Sequence, residues 1–331
     1  MNFSSSAHLV PNPLAKDIEL KPTRHGFGDG LVALGKLHED VVAICADLTE
    51  STRVDLFRKM FPSRYIEVGI TEQHMAAFAS GLAAVGKVPF IASYAMFSPG
   101  RNWEQIRTTI CYNNVPVKIV GAHAGVSVGP DGATHQALED IAIMRVLPRM
   151  TVIVPCDARE AERATASAYA LPGPVYIRLT REPTPLWTTP ETPFQIGKAI
   201  TLVSSDHPDV VIIGCGPILY EAIRAARALF EKGIHAEVIN MHTIKPIDRD
   251  AITRAASRAG AIVSVEEHQV AGGLGSAIAE VLGESNPVPM ERIGIHDHFG
   301  ESGKPSELVE AFRLTSAAIQ EAVMRMIKRK R

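Results

Sequence analysis

The sequence predicts an α/β protein built as two doubly wound domains, and three observations carry that expectation. At 331 residues the chain is long for one core, and the usual domain length of roughly 150 residues points to two. Short apolar runs alternate with segments of helical length from end to end. A proline-rich stretch interrupts that alternation past the middle.

The runs VVAICADL from Val41, VPFIASYA from Val88, VPVKIVGAH from Val115 and TVIVPC from Thr151 are separated by amphipathic segments, the rhythm of a parallel sheet wrapped by helices. Between them, EQHMAAFASGLAAVG from Glu72 is rich in small residues and reads as a helix. Asp157 with Glu160 has the spacing of a capping box, opening a helix that runs through Ala170. In REPTPLWTTPETPFQIG, Arg181 to Gly197, prolines recur too closely for a helix or a central strand, and the stretch reads as an interdomain linker. The alternation then resumes with VVIIGCG, a helix from Pro217 to Lys232, AEVINMHTI, a helix near Asp250, AIVSVEEH and a helix opening at Gly272. The last helix ends in KRKR, whose cations suit the C-terminal dipole of a solvated helix.

Hydrophobic residues make up 46% and charged residues 21%, with a net charge of -2, which is ordinary for a globular protein and gives no electrostatic reason to expect nucleic acid. The N-terminal MNFSSSAHLVPNPLAKD lacks the basic start and apolar run of a signal peptide, and no segment is long and uncharged enough to span a bilayer, so a cytoplasmic protein is expected. Cys45, Cys111, Cys156 and Cys215 are scattered without a C-x-x-C pair, which suggests neither a disulfide framework nor a zinc site.

Three glycine and histidine motifs invite functional readings that their surroundings do not support. Gly28-Asp29-Gly30 reads as a loop without a metal, because the next asparagine is Asn102 and oxygen ligands for Mg²⁺ are missing nearby. Gly272-Gly273-Leu274-Gly275 follows a strand and opens a helix but lacks the G-x-G-x-x-G spacing of a dinucleotide site. His296 and His298 flank Asp297 and would share one face of a strand, yet no second ligand pair lies near them in sequence.

The specific signals lie in the first half. RYIEVGITEQHM places Glu72 where a strand ends and a helix begins, at the sheet edge where open α/β sheets bind ligands. In GAHAGVSVGPDGATHQALED, His123 ends a predicted strand, Asp131 sits in a glycine-rich loop, and Thr134 and His135 open the next predicted helix. Together these residues make an acid/base constellation on loops held by rigid strands.

GITEQHM, ADLTEST, DGATHQ and the early PTR resemble the pyrimidine-binding domain of transketolases and deoxyxylulose-phosphate synthases, followed by their C-terminal domain. The resemblance covers nearly the whole chain and implies an N-terminal extension over 1–20, a pyrimidine-binding domain over 21–185, a linker over 186–200 and a transketolase C-terminal domain over 201–331. The diphosphate-binding domain that precedes this region in a full-length transketolase has no counterpart here. The resemblance therefore implies the C-terminal subunit of a split enzyme, with thiamine diphosphate as cofactor and its Mg²⁺ held by an N-terminal partner subunit. Self-association through the C-terminal half, in an assembly with two copies of each chain, is implied in the same way.

By the same resemblance, Glu72 matches the glutamate that hydrogen-bonds the ring nitrogen of the cofactor's aminopyrimidine. The cofactor then acts as an electron sink while a ketose carbon–carbon bond breaks, leaving a two-carbon unit for an aldose. His123 and His135 match histidines that contact substrate hydroxyls, with an imidazole near neutrality suited to proton transfer. Asp131 matches a residue that reads a sugar hydroxyl, and Asp47 a cofactor-side position. Arg24, Ser51 and Arg181 match positions that hold the substrate phosphate, which points to sugar phosphates. Among Phe90, Tyr94, Phe97 and Trp103, the pair Tyr94 and Phe97 is expected to face the pyrimidine. The alternatives are a deoxyxylulose-phosphate synthase-like half enzyme, the β subunit of a 2-oxo acid dehydrogenase, and a non-catalytic regulatory or scaffolding chain.

Overall fold

The computed structural model describes residues 1–330, so Arg331 of the basic tail lies outside the described residues. The first sheet has seven strands in the spatial order Thr243–Lys245, Thr151–Ile153, Val175–Arg178, Lys118–Ala122, Val88–Tyr94, Val41–Cys45, Tyr65–Glu67. Every neighbouring pair is parallel except the first, where Thr243–Lys245 runs antiparallel to Thr151–Ile153. Because Val41–Cys45 lies between Tyr65–Glu67 and Val88–Tyr94, the order of connection reverses there, opening a crevice at the carboxyl ends of those strands.

Successive strand residues serve opposite faces. Phe90, Ala92 and Val120 pack with Phe27, Leu31, Ala161 and Ala164 of two helices, Thr23–Leu37 and Ala158–Ala170. Ile91 and Ile119 belong to a core with Met75, Ala76 and Ala79 of the helix Glu72–Ala84, and that core continues through Ile252, Ala255, Leu274 and Ile278 of the second half. Both faces are thus covered, which explains strands that read as unbroken apolar runs. Gly28-Asp29-Gly30 is not a loop: it lies inside the helix Thr23–Leu37. A Cβ at Gly28 would press on Arg53 at 2.8 Å and one at Gly30 on the Glu162 carbonyl at 3.0 Å, while Asp29 pairs with Lys21 at 2.7 Å.

The second sheet runs Asn2–Phe3, Ile200–Ser204, Ala236–Asn240, Val210–Gly214, Ile262–Gln269, Met290–Ile295. Its outer face carries the helices Leu219–Phe230 and Ser316–Lys330, whose Ile223, Ala226, Ile319 and Val323 pack on Ile212, Val238 and Val263. The run AEVINMHTI splits in two: Ala236–Asn240 stays in this sheet, whereas Thr243–Lys245 crosses to the edge of the first. Likewise Asn2–Phe3, from the N-terminal extension, pairs with Ile200–Ser204. Composition shows the polarity of such a segment but not which sheet offers it a free edge.

The remaining motifs find structural roles. Glu266 accepts the Leu274 and Gly275 amides at 2.7 and 2.8 Å, so a buried carboxylate already occupies the helix N-terminus that a dinucleotide phosphate would need. The strand before His296 ends at Ile295, which leaves His296, Asp297 and His298 in an exposed turn rather than on one strand face. All four cysteines are buried and unpaired. Among the described residues no helix is long and apolar enough to cross a membrane.

Asp157 does cap the helix Ala158–Ala170, its Oδ1 accepting the Glu160 amide at 2.9 Å. Its Oδ2 also accepts the Trp187 and Thr188 amides at 3.1 and 2.8 Å, which ties the proline-rich crossing to the helix start. The reciprocal half of the box differs: Glu160 accepts the amide of Cys156 at 2.6 Å instead of that of Asp157, and its other oxygen takes Asn240 from the second half at 2.8 Å. Burial raises the Glu160 carboxyl to about 7. The unfolded chain releases that proton from about pH 4.5 while the folded chain holds it to about 7, so stability falls as pH rises across this window. Urea unfolding at pH 5 and pH 7.5 should show Glu160→Gln flattening the fall by on the order of 2–3 kcal/mol. Glu266, raised to about 7 by burial, leaves a residual slope in the same range.

Candidate active site

The residues singled out by sequence gather at the carboxyl edge of the first sheet. Asp47 and Ser51 follow Val41–Cys45, Glu72 follows Tyr65–Glu67, Tyr94 ends its strand with Phe97 just beyond, and Arg181 follows Val175–Arg178. His123, Asp131 and His135 follow Lys118–Ala122, and Arg24 is the second residue of the helix Thr23–Leu37. His135 does not open a helix; the helix there begins only at Asp140, and His135 sits in the preceding turn with Nδ1 against the Thr134 hydroxyl at 2.9 Å.

Glu72 is the first residue of its helix, and its side chain is 5% exposed. The buried Asn102 donates to the Glu72 carbonyl at 3.0 Å and to the Ser98 hydroxyl at 3.1 Å, fixing the backbone beneath the carboxylate. An open cleft of about 670 Å³ lies in front, lined by Ile70, Gln73, His74 and Arg101 among others. Arg101 reaches both Glu72 oxygens, at 3.2 and 3.4 Å, and its guanidinium lies 4.2 Å from the centre of the Phe97 ring. Phe97 stacks on Tyr94 at 5.8 Å, Tyr94 stacks on His123 at 4.0 Å, and the ring of His135 meets Phe97 edgewise at 5.4 Å. A continuous column of charge and ring faces therefore links Glu72 to both histidines. Phe90 instead packs on Phe27 in the core, and Trp103 donates to the Ile143 carbonyl.

The other end of the site is cationic. Arg24 donates to the carbonyl of Ser51 at 2.8 Å, and Arg181 donates to the Val128 carbonyl at 3.0 Å and to Asp131 at 3.3 Å. Burial lowers the Arg24 guanidinium from its usual range, helped by repulsion from Arg181 and Arg53. Asp47 is exposed, with φ 59°, and its amide is received by Glu67 at 2.8 Å. Glu67 also accepts from Thr49, Tyr65 and Gly69, and these bonds outweigh partial burial so that its carboxyl lies below the usual range.

His123 stands between the two ends, buried in the left-handed region at φ 55°, with no hydrogen-bond partner for Nδ1. Burial first, then the charges of Arg24 and Arg181, lower its pKa to about 3. The expectation of an imidazole titrating near neutrality therefore fails for His123: a cationic ring there would be both dehydrated and repelled. It remains a neutral hydrogen-bonding group.

Sequence reasoning missed Arg101, Asn102 and Glu67. Arg101 lies four residues beyond Phe97, a spacing that in a helical turn sets a cation over a ring, and that spacing is its signal in the sequence.

The chain matches the family models for the transketolase pyrimidine-binding domain over residues 21–185 and the transketolase C-terminal domain over residues 197–319. The chain belongs to the transketolase family. It is 43% identical to a putative transketolase C-terminal section of Methanocaldococcus jannaschii, over 93% of this chain and 97% of that one. It is 40% identical to the 6-deoxy-6-sulfo-D-fructose transketolase subunit SqwH of Clostridium sp. (strain MSTE9), over 96% and 98%. Among solved structures it resembles a split gene transketolase described as an inactive beta4 tetramer, with 43% identity, a TM-score of 0.87, and 94% and 99% of the two chains covered.

Transketolases depend on thiamine diphosphate, and the groups here suit the cofactor's aminopyrimidine: a nearly buried carboxylate beside two stacked rings. In this transketolase-family chain the neutral state of His123 is directly measurable. In an NMR titration of the ring, His123 should keep neutral-imidazole shifts from about pH 8 down to about pH 5, whereas the unfolded chain protonates near 6.5. Its folded pKa is depressed, so the linked stability is present above about 6.5 and drains away as pH falls toward 3.

Proposed function

We propose that this chain is the C-terminal subunit of a split, thiamine-diphosphate-dependent transketolase that moves a two-carbon ketol unit from a ketose phosphate to an aldose phosphate. The observation that carries the reading is Glu72, a carboxylate fixed at a helix start and joined through Arg101 to the Phe97–Tyr94 stack. The relatives described as a section, a subunit and a split-gene chain are each matched over nearly their whole length, which supports a division of the enzyme between two polypeptides.

When bound, thiamine diphosphate supplies the acidic thiazolium carbon and the electron sink for breaking the ketose carbon–carbon bond. Glu72 would hold the pyrimidine ring nitrogen, with Tyr94 and Phe97 against its plane and Asp47 on the cofactor side. His123, as a neutral ring, and His135 would hold sugar hydroxyls and so keep the reacting carbonyl in register. Asp131 would read a further hydroxyl. Arg24 and Arg181, with Ser51 between strand and helix, would receive the phosphate, since paired guanidinium groups suit its oxygens. Their place at the end of the site away from Glu72 favours a sugar whose anionic group is remote from the reacting carbonyl over a 2-oxo acid, whose carboxylate adjoins it.

The diphosphate and its Mg²⁺ are assigned to an N-terminal partner subunit, and the second domain to self-association, in a cytoplasmic assembly with two copies of each chain. That the solved split-gene relative is described as inactive in its beta4 form fits a chain that needs its partner.

Calorimetry on the purified chain should show no tight binding of thiamine diphosphate with Mg²⁺; tight binding by the chain alone would overturn the split reading. Once the partner is added, ketol transfer between sugar phosphates should appear. Glu72→Gln should then lower kcat by about 10²–10⁴-fold. Undiminished turnover in that variant would remove Glu72 from its role.

A further inference from the structure

We infer that the second domain shapes the substrate-reading loop, with Glu267 as a positioning residue that holds the turn immediately after His123. The inference rests on the proposed function for what the loop reads, but the clamp itself is a matter of geometry. Glu267 belongs to the strand Ile262–Gln269 of the second sheet and is buried. Its carboxylate accepts the Ser127 amide at 2.6 Å, reaching into the loop that carries His123 and Asp131. Gly125, two residues past His123, has φ 92°, and a Cβ there would overlap the Glu267 carboxylate. The loop backbone is thus laid directly on a group of the other domain, and only glycine permits the approach.

The clamp is closed from a second side. Gln136, also buried, donates through its amide Nε2 to the Glu301 carbonyl of the second domain at 2.8 Å and to the Val126 and Gly129 carbonyls of the loop at 3.2 and 3.1 Å. Gly132, one residue beyond Asp131, leaves no room for a Cβ beside the Ser302 hydroxyl, and Gly129 sits against Pro305. Arg178 donates to the backbone carbonyls of Ala137 and Glu267 at 3.2 and 2.9 Å, joining the far end of the loop to the same strand. Between Gly125 and Ala137, then, the segment that presents Asp131 and His135 has the second domain as its floor. A loop left without that floor would sample several shapes, and each substrate contact would carry the cost of reordering it.

Hydrogen exchange on the whole chain reads the clamp without any turnover. Glu267→Ala should speed exchange at the Ser127 amide by about 100-fold, while Glu267→Gln, whose amide oxygen still accepts that N–H, should restore most of the protection. In the assembled enzyme Glu267→Ala should raise KM for the ketose phosphate about tenfold with kcat and cofactor affinity little changed, and Gln136→Ala, approaching from the loop side, should do the same. Unaltered Ser127 exchange in Glu267→Ala would overturn the inference, as would a loss of cofactor and substrate binding in step with lost thermal stability. If Glu267→Ala does not fold, Gln136→Ala decides by the same criteria. A wild-type assembly without ketol transfer would instead remove the proposed function and leave the exchange comparison standing.

Discussion

Arg178 carries its charge into the interior, with 3% of its side chain exposed against 1% for Asp140, and the contact of the two halves is organised around that pair. Its Nε meets Asp140 Oδ2 at 2.8 Å, and the Tyr176 hydroxyl donates to the same oxygen at 2.7 Å. Removing an ion pair of this kind from water costs several kcal/mol per ion, a cost that further hydrogen bonds to the charged groups offset. Arg178 gains them from the carbonyls of Ala137 and Glu267, one from each domain, while Asp140 Oδ1 is left without a partner. Arg178 ends its strand three residues before Arg181, so anchoring the one side chain also fixes where the cationic end of the site begins. The relative placement of the domains and the geometry of the site are consequently one problem with one solution.

The site itself is assembled from loops that share little beyond the sheet edge. Glu72, Phe97, His123, Asp131 and Arg181 lie on four different strand exits, and their agreement in space depends on rigid supports below them: Asn102 under Glu72, Glu67 under Asp47, and the second domain under the glycine-rich loop. The side chain of Arg101 is 51% exposed, and its guanidinium bridges a carboxylate and a ring face. Exposed ion pairs of this type contribute little stability, so the pairing is a way of holding an acid ready beside an aromatic wall more than a way of holding the fold together.

Much of this was legible from residue pattern. The strands from Val41, Val88, Val115 and Thr151 announce themselves because both of their faces are covered, and the helix from Ala158 to Ala170 because Asp157 and Glu160 mark its start. The glycine-rich helix Thr23–Leu37 was misread where close packing on Arg53 and Glu162 requires small residues, since a short glycine motif looks alike in a loop and in a tight helix contact. Titration behaviour was also hidden: residue type gives His123 an ordinary imidazole, and only its burial beside two guanidinium groups makes it neutral. Arg101 and Glu267 escaped because their meaning lies in partners 29 and 140 positions away in the chain, a separation across which local spacing carries no information.

The two crossings described above, Asn2–Phe3 laid on the second sheet and Thr243–Lys245 laid on the first, work like the interlocked fingers of two hands. Severing the proline-rich segment between them would not yield two free modules, because each piece would keep a strand that completes the other. Such a chain resists being separated by accident, and by the same token a gene encoding either half by itself would leave a raw sheet margin for a foreign strand to occupy.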